Sequence, residues 1–283
     1  MICAWQAFVE LLPPWMRGQT EVNGKQSLQE LRLRQGELPQ LICVDGIRQL
    51  DRIVVAEDLR YIVNAASQYS PWASATVARG YITAPGGHRL GLCGQVVING
   101  GAMTGIRDVT SLCIRVARDF HGISRGADPL GSVLIIGSPG SGKTTFLRDM
   151  IRARSDLGRG SVAVVDEREE IFPYWNGEPC FPAGKGTDVL RGCGKEQGVE
   201  CVLRTMGPAA IAVDEITARA DCRGLLQAGW CGVDLLATAH AGSVEDLLSR
   251  PVYRPIVEAG LFERVVVLRR DKSWKLERMV ACT

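Results

Sequence analysis

The sequence predicts an α/β protein with two domains, a smaller α+β domain over residues 1–122 and an α/β domain over residues 130–283. Three observations carry this. Five short apolar runs in the second half, "SVLIIG", "SVAVVDE", "AAIAVDE", "DLLATAH" and "RVVVLRR", alternate with helical patterns. Continuous apolar runs mark strands covered on both faces, hence a largely parallel sheet wrapped by helices. The pattern before residue 130 is shorter and mixed, and "HGISRGADPLG" between the two halves is polar and bears Gly and Pro, as a linker does.

In the first half, "LRLRQGELPQLICVDG" reads as two strands with a turn at Gly36. "EDLRYIVNAASQYSPW" places Leu59, Ile62, Val63 and Ala66 at helical spacing. "GYITAPGGHRLGLCGQVVINGGAM" reads as a strand, a Gly-rich turn and two further β segments, and "SLCIRVARDF" as another strand.

Composition narrows the class. Hydrophobic residues make up 46% of 283, enough for a sizeable core. A net charge of +2 argues against a generally polyanion-coated surface and leaves a local basic patch open. The 10 cysteines include no C-x-x-C pair, so metal-finger spacing is absent and reduced, packed thiols of a cytosolic protein are expected. "MICAWQAFVELLPPW" has no basic n-region or small-residue cleavage site, so no signal peptide is expected. No window of about 18 apolar residues predicts a membrane span. Membrane contact would go through a partner.

On a parallel sheet, ligands sit at the carboxyl ends of the strands. There the chain carries Gly137, Ser138, Pro139, Gly140, Ser141, Gly142, Lys143, Thr144 and Thr145, which match G-x-x-x-x-G-K-[ST] between a strand and a helix. Glycines let the loop amides turn toward phosphate oxygens, and the helix N-terminus adds partial positive charge. Lys143 supplies a point charge for β and γ phosphates, and the Thr144 hydroxyl is a candidate Mg²⁺ ligand. "AAIAVDE" ends in Asp214, a candidate for organising Mg²⁺, and Glu215, a candidate for polarising the attacking water. In "VAVVDEREEI", Asp166, Glu167, Glu169 and Glu170 surround Arg168. Either Asp166 or Glu167 is expected to face the nucleotide as a second Mg²⁺ or water-orienting group. Arg89 and Arg115 are candidate arginines supplied in trans to phosphoryl transfer; a salt-bridged strand arginine is the alternative for each. His88 and His121 read as structural or surface residues. Thr238 and His240 stand at the mouth of an apolar strand, either as a polar cap or as a sensor of bound nucleotide.

At this point the chain resembles the secretion ATPases of type II secretion and type IV pilus systems. Phosphate loop, acidic box, second acidic strand end and Thr-x-His follow in that order. "GKTTFLRD", "VVDEREEI", "TDVLRGCGK", "DEI" and "TAHAGSVEDLLSRP", with "QYSPW" and "GYITAPGGHRLGLCG", are similar to the stage III sporulation protein AA family. The resemblance runs from about Leu31 to the end. It implies a RecA-like P-loop core that hydrolyses ATP with Mg²⁺ in a homo-oligomer, a hexamer. It also implies a cytoplasmic mother-cell protein of a spore-former, held at the membrane by embedded channel subunits of a mother cell–forespore complex that it powers or gates. Three positions depart from the family pattern: Gly186 where an arginine usually precedes "TDVL", Gly194 where a proline usually stands, and Thr217 where a glycine usually follows "DEI".

Two other classes share this core. A nucleic-acid translocase is disfavoured by the near-neutral charge and the lack of an aromatic–basic stretch. A nucleotide-gated scaffold would bind ATP with negligible turnover.

Overall fold

A computed structural model describes residues 1–67 and 80–279. The chain forms two compact units, Met1–Asp119 with Tyr174–Cys180, and Phe120–Pro173 with Phe181–Thr283.

The first unit opens with helices α1 (Trp5–Glu10) and α2 (Pro14–Gly24). The sequence pattern predicts no element here, because a six-residue helix is too short to show a period. Pro14 at the first position of α2 starts that helix, since its missing N–H would be unpaired there anyway. Trp5, Phe8, Val9, Leu11 and Leu12 all enter the core. The sheet is antiparallel, in the order β3 (Gly46–Gln49), β2 (Gln40–Cys43), β1 (Leu28–Arg34), β6 (Ala102–Arg115), β5 (Arg89–Asn99), β4 (Tyr81–Thr83). Along β1, Leu31 and Leu33 are buried while Arg32 and Arg34 point to solvent, the alternation of a half-covered strand. Helix α3 (Ala56–Ser67) buries Leu59, Ile62 and Ala66, the expected face. "QYSPW" lies outside the described residues. "SLCIR" is the end of β6 and not a separate strand, because β6 pairs with β5 from Ala102 to Arg115 and at Ser111–Arg115 with β1 on its other edge as well.

The second unit is built on a seven-stranded sheet in the order β11 (Thr187–Arg191), β8 (Val162–Asp166), β12 (Ala210–Ile216), β13 (Asp234–Ala239), β7 (Val133–Gly137), β14 (Arg264–Leu268), β15 (Trp274–Arg278). All neighbours pair in parallel except β14 with β15. The five apolar runs are β7, β8, β12, β13 and β14. The two strands without such a run, β11 and β15, are the sheet edges, half-covered and solvated. Helix α4 (Lys143–Asp156) follows the phosphate loop, and α5 (Lys195–Thr205) and α6 (Arg219–Trp230) pack on the face that presents Val165, Val213 and Ala237. Helices α7 (Val244–Ser249) and α8 (Arg254–Glu258) precede β14. A small hairpin, β9 (Tyr174–Trp175) with β10 (Glu178–Pro179), groups with the first unit although its sequence interrupts the second.

The expected boundary at 122–130 shifts to residue 120 for a local reason. The Asp149 carboxylate on α4 accepts hydrogen bonds from Gly122 N (2.9 Å), Ser124 N (2.8 Å) and the Ser124 hydroxyl (2.7 Å). The stretch with linker composition is thereby bound into the second unit. Among the described residues, no helix is long and apolar enough to cross a membrane.

Strand order positions the site. β13, with its Thr-x-His, lies between the phosphate-loop strand β7 and the Asp214–Glu215 strand β12. The acidic box at the end of β8 is three strands from β7.

Candidate functional site

The loop after β7 depends on glycine at two places. Gly142, where α4 begins, has φ 102°, a left-handed conformation that L side chains rarely take. A Cβ on Gly137 would come within 2.5 Å of the Ser141 hydroxyl oxygen and 2.7 Å of the Leu268 carbonyl. Lys143, buried at the start of α4, donates to the carbonyls of Gly137 (2.9 Å) and Ser138 (3.1 Å), and its Nζ lies 3.1 Å from His240 Nδ1. Burial pulls the Lys143 pKa below its usual value, while the charges of Asp214 and Glu215 oppose the shift. The Ser141 hydroxyl is buried in the loop without a protein partner. An unpaired buried hydroxyl in a glycine-bearing loop at a helix N-terminus suits a phosphate oxygen.

Asp214 sits at the centre of a second group. The Thr144 hydroxyl donates to its Oδ2 at 2.6 Å, and the Thr238 hydroxyl donates to its Oδ1. Thr238 Oγ1 in turn accepts from the Glu215 backbone N–H at 2.7 Å. The β12–β13 register shifts between Val213 and Ile216, and Glu215 has φ 55°. A non-glycine residue held there costs about 1–3 kcal/mol, which the surrounding bonds must offset. This bulge aims the Glu215 carboxylate, whose Oε1 lies 2.8 Å from His240 Nε2 and whose Oε2 lies 2.7 Å from Arg168 Nη1. Thr144 and Asp214 are hard oxygen donors beside the phosphate loop, as Mg²⁺ requires. Among the described residues, no three His, Cys, Asp or Glu side chains group to hold a metal alone.

The acidic box is spent differently from the expectation. Both Asp166 oxygens face the backbone that follows: Oδ1 accepts from Glu170 N (2.9 Å), and Oδ2 from Ile171 N (3.0 Å) and Phe172 N (2.9 Å). Burial pushes its pKa up to about 7, with the amides opposing and the Asp214 charge adding. Glu167 pairs with the buried Lys195 at 2.5 Å, and Glu169 lies 3.5 Å from Arg191. Asp166 and Glu167 are thus engaged by backbone amides and by Lys195, while both line the same crevice as Asp214 and Glu215 on the neighbouring strand β12. From this box Arg168 reaches across to Glu215, its Nη1 2.7 Å from Oε2.

Arg89 and Arg115 lie in the sheet of the first unit. The Arg89 guanidinium stacks 4.0 Å from the Tyr81 ring centroid, and Arg115 Nε is 3.3 Å from Glu30 Oε1. His88 is buried between Ala4 O (3.0 Å from Nε2) and Ala117 N (3.0 Å from Nδ1), and burial lowers its pKa to about 4. It is a neutral structural histidine, and His121 is exposed. The three departures are accommodated. Gly186 N donates to Ser155 Oγ, the Thr217 hydroxyl donates to Asp221, and Gly194 has φ −61°, the angle proline would adopt.

Sequence reasoning missed three contributors. Arg168 is visible only as a basic residue among four carboxylates. Lys195 opens α5 and ties Glu167, with Asp221 3.8 Å away. Lys272, with φ 70° in the β14–β15 turn, donates to Gly140 O at 2.6 Å and so reaches the phosphate loop from 132 residues away. No local pattern marks these contacts, because each depends on which strands and loops become neighbours.

The family described as Sporulation stage III, protein AA matches residues 16–277. Stage III sporulation protein AA of Bacillus subtilis (strain 168) is 35% identical over 278 residues, covering 93% of this chain and 91% of its own. Among solved structures, the pilus retraction motor PilT with bound ADP superposes with a TM-score of 0.61 at 13% identity, over 94% of this chain and 83% of that one. The ATPase DotB of Yersinia pseudotuberculosis gives 0.59 at 15% identity, over 94% and 79%. The two structural likenesses are those of fold: a RecA-like core preceded by an N-terminal domain.

Proposed function

Since the chain belongs to the family of the sporulation stage III protein AA, we propose that it is a secretion-type ATPase that hydrolyses ATP with Mg²⁺. Its work is done as a homo-oligomer, a hexamer, on membrane-embedded channel subunits joining mother cell and forespore. It acts from the cytoplasmic side of the mother cell, held at the membrane through those partners. The observation that carries the hydrolytic reading is the continuous run Lys143–His240–Glu215 beside the Thr144–Asp214 pair.

The roles follow from the donors and acceptors. Amides of the loop from Gly137 to Thr145 and the Lys143 ammonium hold the phosphates. Thr144 and Asp214 would hold Mg²⁺, which would supply positive charge against the phosphate oxygens. Glu215 accepts a hydrogen bond from the attacking water and orients it in line with the γ-phosphate. His240 holds the Glu215 carboxylate on one side and Lys143 on the other, which makes it the group that senses whether the lysine has turned to phosphate. Asp166 and Glu167 shape the loop that carries Arg168. Arg89 and Arg115 stay as candidates for a charge supplied across a subunit boundary.

Lys143→Ala is expected to abolish ATP turnover, as is chelation of Mg²⁺. Phosphate release by Lys143→Ala at the wild-type rate overturns the site assignment. Steep stimulation of turnover by single-stranded DNA or RNA, falling with salt, would favour a nucleic-acid translocase instead.

A further inference from the structure

Glu215, the proposed water-orienting group, has both carboxylate oxygens engaged, Oε1 by His240 and Oε2 by Arg168. His240 belongs to the run that leads to Lys143. Arg168 does not, and its surroundings say what it is for. Its acidic neighbours hold the box together. Asp166 binds the amides of residues 170–172, Glu167 binds Lys195, and Glu169 faces Arg191. From the other side, Arg148 on α4 donates to the carbonyls of Glu170 and Ile171. The segment is therefore pinned along its length, and Arg168 extends from it to the bulged strand end. The crevice that Arg168 lines with Asp166, Glu167, Glu170, Lys195, Asp214 and Glu215 has a volume of about 10 Å³, room for roughly one water.

We infer that Arg168 is a latch on Glu215: it holds the carboxylate away from a water until the charge of bound nucleotide draws the guanidinium off. The inference rests on the hydrolase reading above. The side chains of the pair are 49% and 28% exposed, so the bond is of the weak, solvent-screened kind. A strut would need to be stronger, whereas a latch has to yield. Triphosphate and Mg²⁺ arriving at the phosphate loop change the local charge by more than such a pair resists. Arg168 acts through Glu215 and is a positioning residue, not a ligand of the phosphates.

The test compares the full-length wild type with Arg168→Gln and Arg168→Lys, measuring steady-state ATP turnover and affinity for a non-hydrolysable ATP analogue. The latch predicts that R168Q, in which nucleotide no longer has to break the pair, binds the analogue about two- to fivefold more tightly and turns over faster by the same factor at subsaturating ATP, the equivalent of a screened ion pair. It predicts that turnover at saturating ATP stays within about twofold and that R168K, which restores a cation, returns affinity and subsaturating turnover toward wild type. Slower or equal turnover of R168Q at subsaturating ATP overturns the latch, as does weakened analogue binding, which would make Arg168 a phosphate ligand. Equal acceleration in both variants also overturns it, since that reports a loosened loop. Turnover absent from wild type and R168Q alike, with analogue still bound, overturns the hydrolase reading itself.

Discussion

Lys143 Nζ lies 3.1 Å from His240 Nδ1, and that one distance orders the hydrogen bonds across the ring. A lysine ammonium can only donate, so Nδ1 accepts and the hydrogen of the neutral ring is on Nε2. Nε2–H then points at Glu215 Oε1, 2.8 Å away. The imidazole orders the donors so that a move of Lys143 toward phosphate is felt at the carboxylate.

His240→Ala is expected to keep nucleotide binding and lose turnover. Lys143 retains its charge and its bonds to the Gly137 and Ser138 carbonyls, so the analogue dissociation constant changes by no more than about threefold. Glu215 loses the partner that orients it, and turnover falls at least about tenfold. Should turnover and partner function both survive, His240 is only a strand cap.

Thr238→Val tests the bulge. The hydroxyl donates to Asp214 and accepts from Glu215 N–H, so an isosteric methyl leaves two half-buried polar groups unpaired. The expected loss is about 1–3 kcal/mol, visible as a fall in Tm of roughly 2–10 °C by calorimetry. Thr238→Ser keeps the hydroxyl and most of the stability. A valine variant that melts with wild type would show that Asp214 and Glu215 do not depend on this bond.

Asp166 sets a pH dependence of stability. Its carboxyl is raised to about 7 from the ordinary 3.8, chiefly by burial. The folded chain therefore binds this proton more tightly than the unfolded chain, and between about pH 4 and pH 7 stability falls as pH rises. Asp166→Asn does not titrate. The stability difference, wild type minus variant, should shrink across that window by up to roughly 4 kcal/mol and be level above it. Urea unfolding of both proteins at several pH values measures this, and a difference that is flat throughout rejects it.

Lys272→Ala removes the donor on Gly140 O and frees one side of the phosphate loop. Nucleotide affinity is expected to weaken about two- to tenfold, with turnover at saturation less affected. Isothermal titration with ADP and with an ATP analogue checks it; unchanged affinity for both would leave Lys272 a turn residue only.

Much of the fold was legible because its signals are local. A buried parallel strand reads as an unbroken apolar run, and all five such runs became strands. The G-x-x-x-x-G-K-[ST] motif is contiguous, so Gly137–Thr145 was legible from spacing as a candidate phosphate loop. Edge strands β11 and β15 gave no run, since one side of each is solvated. The helix α1 hid in an apolar stretch too short for a period. The Asp149 carboxylate that binds Gly122 and Ser124 was not legible, because nothing in residues 121–131 themselves announces it.

The sequence by itself determined the chemistry available at the strand ends: a lysine in a glycine loop, a Thr144 hydroxyl, paired carboxylates at Asp214–Glu215, and a histidine on a strand mouth. Only the tertiary structure decided which of these meet. Pairing in the sheet set β13 between β7 and β12, and so put His240 between Lys143 and Glu215. The same order set β8 beside β12, where Asp166 bonds backbone amides, Glu167 pairs with Lys195 and Arg168 reaches Glu215. Hydrophobic runs specify that a segment will be a buried strand; they carry no information about which strand becomes its neighbour. That choice is made by how helices and crossovers pack around the whole sheet.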